Sequence, residues 1–95
     1  MSINMTKKFD EEMVKIAVIK SLHKNRYYNK RHTPIIHICK RLPKIPCKYI
    51  KKALKELKKE KIVTIKPTYH GADVCLNVKK KKEINQYLEK NNLNK

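Results

Sequence analysis

The stretch KIPCKYIKKALKELKKEKIV, residues 44–63, decides the fold of this chain. Ile50, Ala53, Leu54 and Leu57 recur at the i, i+3, i+4, i+7 spacing that puts side chains on one face of a helix. Lys48, Lys52, Lys55 and Lys59 form a stripe on the opposite side. Lys51 and Lys58 border that stripe on one flank; Tyr49, Glu56 and Glu60 lie on the other. A helix over 45–60 that buries one side and offers a row of ammonium groups on the other suits a polyanion. Its diameter fits the major groove of DNA.

Working upstream, Pro46 opens this helix as a first-turn proline and Pro43 stops the one before it, leaving a tight turn at 43–45. That preceding helix starts with Thr33 as N-cap and Pro34 in its first turn. Ile35, Ile38, Cys39 and Leu42 share one face; His37, Lys40 and Arg41 point the other way. Residues 25–32, NRYYNKRH, are polar, basic and aromatic, and read as a loop with a short strand at Tyr27 and Tyr28. The first helix runs over 10–24, with Asp10 as N-cap and Glu11 and Glu12 at the positive end of its dipole. Seven of the ten residues from Met13 to Leu22 are apolar, so this helix should be buried on more than one side, with a C-terminal helix or a second subunit on the face away from the central pair.

Downstream the period changes to two. Residues 62–66 are a β-branched run, and Val74, Leu76 and Val78 alternate with Cys75 and Asn77. Between them, residues 67–72 hold the sole glycine, Gly71, and Pro67, which limits pairing, so the expectation is a hairpin with a loose tip. Four lysines at 79–82 precede a last helix over about 80–91, with Ile84, Tyr87 and Leu88 as its apolar edge, and the NNLNK end should fray.

Ninety-five residues make one domain, with a modest core. The formal net charge of +17, from 25 Lys+Arg against 8 Asp+Glu, opposes compaction and points to a polyanionic partner. Apolar residues are 40% of the chain and periodic, which argues against disorder. No run approaches the ~18 apolar residues of a membrane span. MSINMTKKFDEE lacks the apolar segment of a signal peptide, so the expectation is a soluble, cytoplasmic protein. Cys39, Cys47 and Cys75 are odd in number and without a CxxC pair, so they read as buried reduced thiols rather than a disulfide framework. Cys47 beside several lysines is also a candidate redox-sensing thiol, because nearby cations lower a thiol pKa.

The order helix, helix, tight turn, helix, hairpin, helix resembles a winged helix-turn-helix domain. The fold class is mainly α with a small β-hairpin: a three-helix core, a two-stranded wing and an extra C-terminal helix. The specific part is Ile45, Ile50, Ala53, Leu54, Leu57, Ile62 and Val63, which is similar to the recognition-helix pattern of small bacterial and archaeal transcription regulators. The resemblance covers about residues 13–78. Such families usually carry Gly in the tight turn and before the first wing strand, where this chain has Lys44 and Lys61, and the loop at 25–32 is longer than the minimal connection. The resemblance implies a DNA-binding transcription regulator with helix 45–60 in the major groove. It also implies a homodimer through helix one and Ile84, Tyr87 and Leu88, with recognition helices about 34–36 Å apart. RNA or ribosome binding is the alternative, with stacking on Tyr27 and Tyr28, and a protein-interaction module is a third.

From Lys24 to Lys66 there are fifteen Lys or Arg and two acids, a concentration expected of a nucleic-acid-binding face. The candidate contacts are Arg26, Arg31, Lys40, Arg41, Lys44, Lys48, Tyr49, Lys51, Lys52, Lys55, Lys59 and Lys66, with Tyr69 and His70 at the wing tip. Lysine supplies phosphate contacts, whereas base readout favours Arg, Asn and Gln, so affinity should exceed sequence specificity. The bland reading of each is a solvated charged face, a core tyrosine or an ordinary turn. His37, Cys39, Cys47, Cys75 and His70 have no zinc-ligand spacing, so no metal is expected. With no nucleophile elbow, no paired carboxylates and a single glycine, neither catalysis nor a cofactor is expected.

Overall fold

The structure, a computed structural model, describes residues 10–69 and 71–93. His70, the first nine residues and the last two lie outside it, and with them the expectations for a leader segment and for one wing-tip contact. The described chain is mainly helical, with a small three-stranded antiparallel sheet: α1 (Glu11–Lys24), β1 (Thr33–Pro34), α2 (Ile35–Arg41), α3 (Cys47–Lys59), β2 (Val63–Thr68), β3 (Gly71–Leu76) and α4 (Lys81–Leu93).

α1 begins where the Asp10 carboxylate accepts the Glu12 amide at 2.9 Å. Val14, Val18, Ile19 and Leu22 are fully enclosed, and the helix packs against α2, α3 and α4. The sandwich expected from its apolar density is thus completed within the chain by α4. α1 ends in a Schellman motif: the Tyr27 amide donates to the Leu22 carbonyl and the Arg26 amide to the His23 carbonyl, both at 3.0 Å, with Arg26 at φ 58°. α3 ends the same way. The Ile62 amide donates to the Leu57 carbonyl and the Lys61 amide to the Lys58 carbonyl, both at 2.9 Å, with Lys61 at φ 64°. Lys61 therefore holds the left-handed conformation that a glycine would take with less strain.

Two helix starts differ from expectation. Thr33 is not a helix cap but a buried strand residue: β1 pairs with β3, Thr33 opposite Val74 and Pro34 opposite Asp73. Pro34 then occupies the N-cap of α2, and Pro46 the N-cap of α3. Neither proline can offer a side-chain cap. The hairpin is also tighter than expected. β2 and β3 pair from Val63 opposite Leu76 to Thr68 opposite Gly71, so Pro67 and Ala72 belong to the ladder, not the loop. Pro67 is tolerated because the sheet order β1-β3-β2 leaves β2 at an edge. Gly71, at φ 129°, supplies a backbone conformation that other residues rarely adopt.

Val78 is not a strand residue. After Leu76 the chain turns through a 3-10 segment, Val78–Lys80, whose Lys79 amide is capped by the Asn77 side chain at 3.0 Å. α4 then runs to Leu93, through residues expected to fray. The tight turn between α2 and α3 needs no glycine. The Ile45 amide donates to the Leu42 carbonyl at 3.0 Å across Pro43 and Lys44, and neither of those residues has a positive φ.

Two of the three cysteines overturn the reading as buried reduced thiols, and Cys75 bears it out. Cys39, in the last turn of α2, and Cys47, the first residue of α3, form a disulfide with Cα atoms 5.3 Å apart; Cys75 is free and buried. The turn from Leu42 to Ile45 between the two helices brings these two positions together, which spacing along the sequence does not announce.

Candidate nucleic-acid interface

α3 sorts its side chains as its sequence demands. Ile50, Ala53, Leu54 and Leu57 are buried, and Lys48, Lys51, Lys52, Lys55 and Lys58 are exposed. Those five lysines line one open trough against the N-terminal end of α2 and the strand β2, floored by Ile35, Leu54 and Ile65. No acidic side chain lines it. Among the described residues, none of the five makes an ion pair; only Lys48 has an aromatic neighbour, its Nζ lying 5.4 Å from the Tyr49 ring centre.

The stripe is tilted from where helical periodicity alone puts it. β2 packs beside the Lys51 and Lys58 flank, so Lys58 joins the trough, while Lys59 turns away and meets Glu56 at 3.6 Å. Tyr49 is half-buried and packs on the core instead of standing in the trough. Ile35 and Ile65, an apolar floor between charged walls, were not among the sequence-derived candidates. Their half-buried apolar character was legible, but their convergence depends on how the hairpin folds back.

Lys66 leaves the trough for the reason that puts Ile65 into it: neighbouring strand residues face opposite sides. It lines a separate hollow with His32, Asp73 and Asn77, where the His32 ring and the Asp73 carboxylate approach to 3.3 Å. Lys40 and Lys44 are exposed at the end of α2 and in the turn. Tyr69 is fully exposed at the hairpin tip.

Arg26, Arg31 and Arg41 gather elsewhere, around the C-terminal end of α1. Arg41 donates to the Tyr27 hydroxyl at 3.2 Å, and Arg41 and Arg31 stand 5.4 and 5.8 Å from the Tyr27 ring centre. The hydrogen bond from Arg41 is the main cause that holds the Tyr27 phenol below its usual pKa. Arg26 lines a hollow with His23, Lys24, Tyr28 and Lys81. There the Lys81 Nζ lies 5.2 Å from the Tyr28 ring centre, and the Tyr28 hydroxyl and His23 Nδ1 are 2.9 Å apart. Burial pushes the Tyr28 phenol up. The strand expected at Tyr27 and Tyr28 is a single parallel bridge, Tyr28 to Leu76.

Acidic groups tie three helices together. Lys15 and Tyr87 both donate to the Glu60 carboxylate, at 2.7 and 2.8 Å, and Lys90 donates to Glu12 at 2.6 Å, joining α1, α3 and α4. Among the described residues the five trough lysines thus have no acid partner, whereas Glu12, Glu56 and Glu60 pair with Lys90, Lys59 and Lys15.

Among the described residues no group of three or more His, Cys, Asp or Glu side chains could hold a metal ion, and no helix is long and apolar enough to cross a membrane. Comparison with protein-family models, with curated proteins and with solved structures found no match.

Proposed function

We propose that this chain is a winged helix-turn-helix protein that binds double-stranded DNA and acts as a transcription regulator. One observation carries the reading: the lysine trough along α3, whose five lysines make no ion pair among the described residues. α3 would lie in the major groove with Lys48, Lys51, Lys52, Lys55 and Lys58 on phosphates, α2 would brace it, and the β2–β3 hairpin would reach the neighbouring strand as the wing. The tip carries Tyr69 rather than an arginine, so its contact would be to the backbone rather than to the minor-groove floor.

Duplex is favoured over single-stranded RNA by the two tyrosines. Tyr27 has guanidinium groups near its ring, and Tyr28 has Lys81 over its ring and His23 at its edge, 6.1 Å between ring centres. A ring with a cation over one face has only its other face on which a base could stack. A homodimer would need a different contact from the one first expected, because Ile84 is buried and Tyr87 and Leu88 pack on the core of the same chain. Met13, half exposed on α1, is the apolar group left on that side.

A titration at matched salt against duplex DNA, structured RNA and single-stranded RNA tests the reading. Tightest binding to duplex DNA is expected. Preference for either RNA, or no binding of any of the three near physiological salt, would remove it.

A further inference from the structure

The cations at the C-terminal end of α1 form a second basic surface. Two adjoining hollows share Lys24: one holds Lys20, Lys24 and Arg41 over Ala17 and Leu42, the other Lys24, Arg26 and Lys81 around Tyr28. Neither hollow is lined by an acid, and neither shares a residue with the trough along α3. The acids of α1, Glu11 and Glu12, sit at its other end, roughly 18 Å away at 1.5 Å per residue. The second surface stands at the base of the hairpin: Tyr28 bridges to Leu76, the base residue of β3, whereas Thr68 and Gly71 close the tip.

We infer that this surface binds the phosphate backbone of a second duplex, so that one chain joins two DNA segments. The occupant is a phosphate backbone because the cations converge without an acid among them. It is duplex and not a single strand because Tyr28, the tyrosine that lines the surface, already has Lys81 over its ring. The inference rests on the proposed binding of duplex by α3.

The experiment uses two short duplexes with different fluorophores, each too short to occupy both surfaces, and reads energy transfer between them. With the full chain at stoichiometric amounts, transfer is expected. Lys20→Ala/Lys24→Ala/Lys81→Ala should abolish it while leaving affinity for a single duplex within about three-fold. Lys52→Ala/Lys55→Ala should weaken single-duplex binding itself. No transfer with the unsubstituted chain bound to duplex, or undiminished transfer with the triple variant, overturns the inference. Failure of the unsubstituted chain to bind any duplex instead removes the reading beneath it.

A separate observation, the disulfide, carries a second inference. Cys39 and Cys47 are both only partly buried, and they close the turn that seats α3. α2 is seven residues long, and neither α2 nor α3 has a side-chain cap or an acid in its first turn. Short helices without caps are marginal alone. The link is thus a covalent tether, added to the packing of Ile45, Tyr49 and Ile50 on the core, of the α3 end that bears Lys48, Lys51 and Lys52. The geometry points to Cys39 and Cys47 as a thiol–disulfide exchange site that sets duplex affinity. A small dithiol breaks the protein S–S bond and closes its own; two electrons pass to the protein and two protons from the dithiol to the two protein sulfurs.

Duplex affinity is measured for the oxidised chain, for the chain reduced with dithiothreitol, and after reoxidation with glutathione disulfide. A rise in apparent Kd of about five-fold or more on reduction, reversed by reoxidation, is expected. Cys39→Ser/Cys47→Ser should match the reduced state and ignore dithiothreitol; Cys75→Ser should respond like the unsubstituted chain. Equal affinity in both states, three titratable thiols in the chain as isolated under oxidising conditions, or global unfolding of the reduced chain by circular dichroism overturns it. Absence of binding by the oxidised chain counts against the duplex reading instead.

Discussion

The Asn77 side-chain amide donates to the Lys61 carbonyl at 2.9 Å, tying the exit of the hairpin to the end of α3. The Asn77 amide also donates to the Ile62 carbonyl at 2.8 Å. Together these bonds hold Lys61 at a positive φ that costs a non-glycine residue about 1 kcal/mol. Lys61→Gly should therefore raise stability by up to about 1 kcal/mol, less the extra entropy glycine loses on folding. For a chain of this size that is a rise in Tm of up to about 4–8 °C. A lower Tm would show that the lysine stem contributes more than the strain removes.

Glu60 should give the protein a measurable acid limb. Burial alone would raise its carboxyl pKa, but hydrogen bonds from Lys15 and Tyr87 and the charges of Lys15 and Lys90 outweigh that and bring it below the usual value. A depressed carboxyl stabilises above the unfolded pKa of about 4.3, and the contribution is lost as pH falls through the folded pKa. Lys15 is raised, chiefly by its hydrogen bond to Glu60, so its part is present below about pH 10.4 and lost as pH rises through its folded value. With Glu60 partly solvated, Glu60→Gln should cost about 1 kcal/mol at pH 7 and less at pH 3. Denaturant midpoints of the two chains at both pH values check this; a difference that does not shrink in acid refutes it.

The disulfide should also contribute to stability apart from any effect on binding. Closing a loop of this length restricts the unfolded chain by about 2–3 kcal/mol on the loop-entropy estimate. Cys39→Ser/Cys47→Ser should lower the thermal midpoint accordingly. Cys75→Ser changes a buried free thiol whose Sγ donates to the Asn29 carbonyl; it keeps the disulfide, so its thermal midpoint should still fall on reduction, as that of the unsubstituted chain does.

The parts of this fold legible in sequence were those fixed by local chemistry. Asp10 capped α1, the spacing of Ile50, Ala53, Leu54 and Leu57 chose the buried face of α3, and Gly71 marked the hairpin. What was missed depends on residues far apart in the chain. Thr33 reads as a helix cap, yet it is claimed by Val74, forty-one positions away, because a strand partner offers it a ladder. Cys39 and Cys47 meet because of how two helices turn, and Lys66 parts from Ile65 because a strand has two faces. The trough was half legible: its lysines came from helical period, but its far wall came from β2.

Trough lysines should act through phosphate. If six to eight phosphates are neutralised, the logarithm of the binding constant should fall against the logarithm of salt with a slope of about −5 to −7. Lys52→Ala/Lys55→Ala should flatten that slope by roughly 2 and weaken binding to unrelated duplexes alike. Unchanged slopes would place the contacts elsewhere on the molecule.

Ile84 decides whether α4 belongs to its own chain. It is fully buried, on a helix that otherwise meets the core through the half-buried Tyr87 and Leu88 and the Lys90–Glu12 pair. Ile84→Ala leaves a cavity that costs about 2–5 kcal/mol, which is large for a chain of 95 residues. If α4 instead completed a second copy, stability would rise with protein concentration, since association favours the folded state by mass action. The expected result is a Tm lowered by the substitution and, in both chains, the same across a hundred-fold range of concentration. A midpoint that climbs with concentration in the unsubstituted chain and loses that dependence in Ile84→Ala would mean that the cover over α1 comes from a partner, and Ile84 would then be an interface residue.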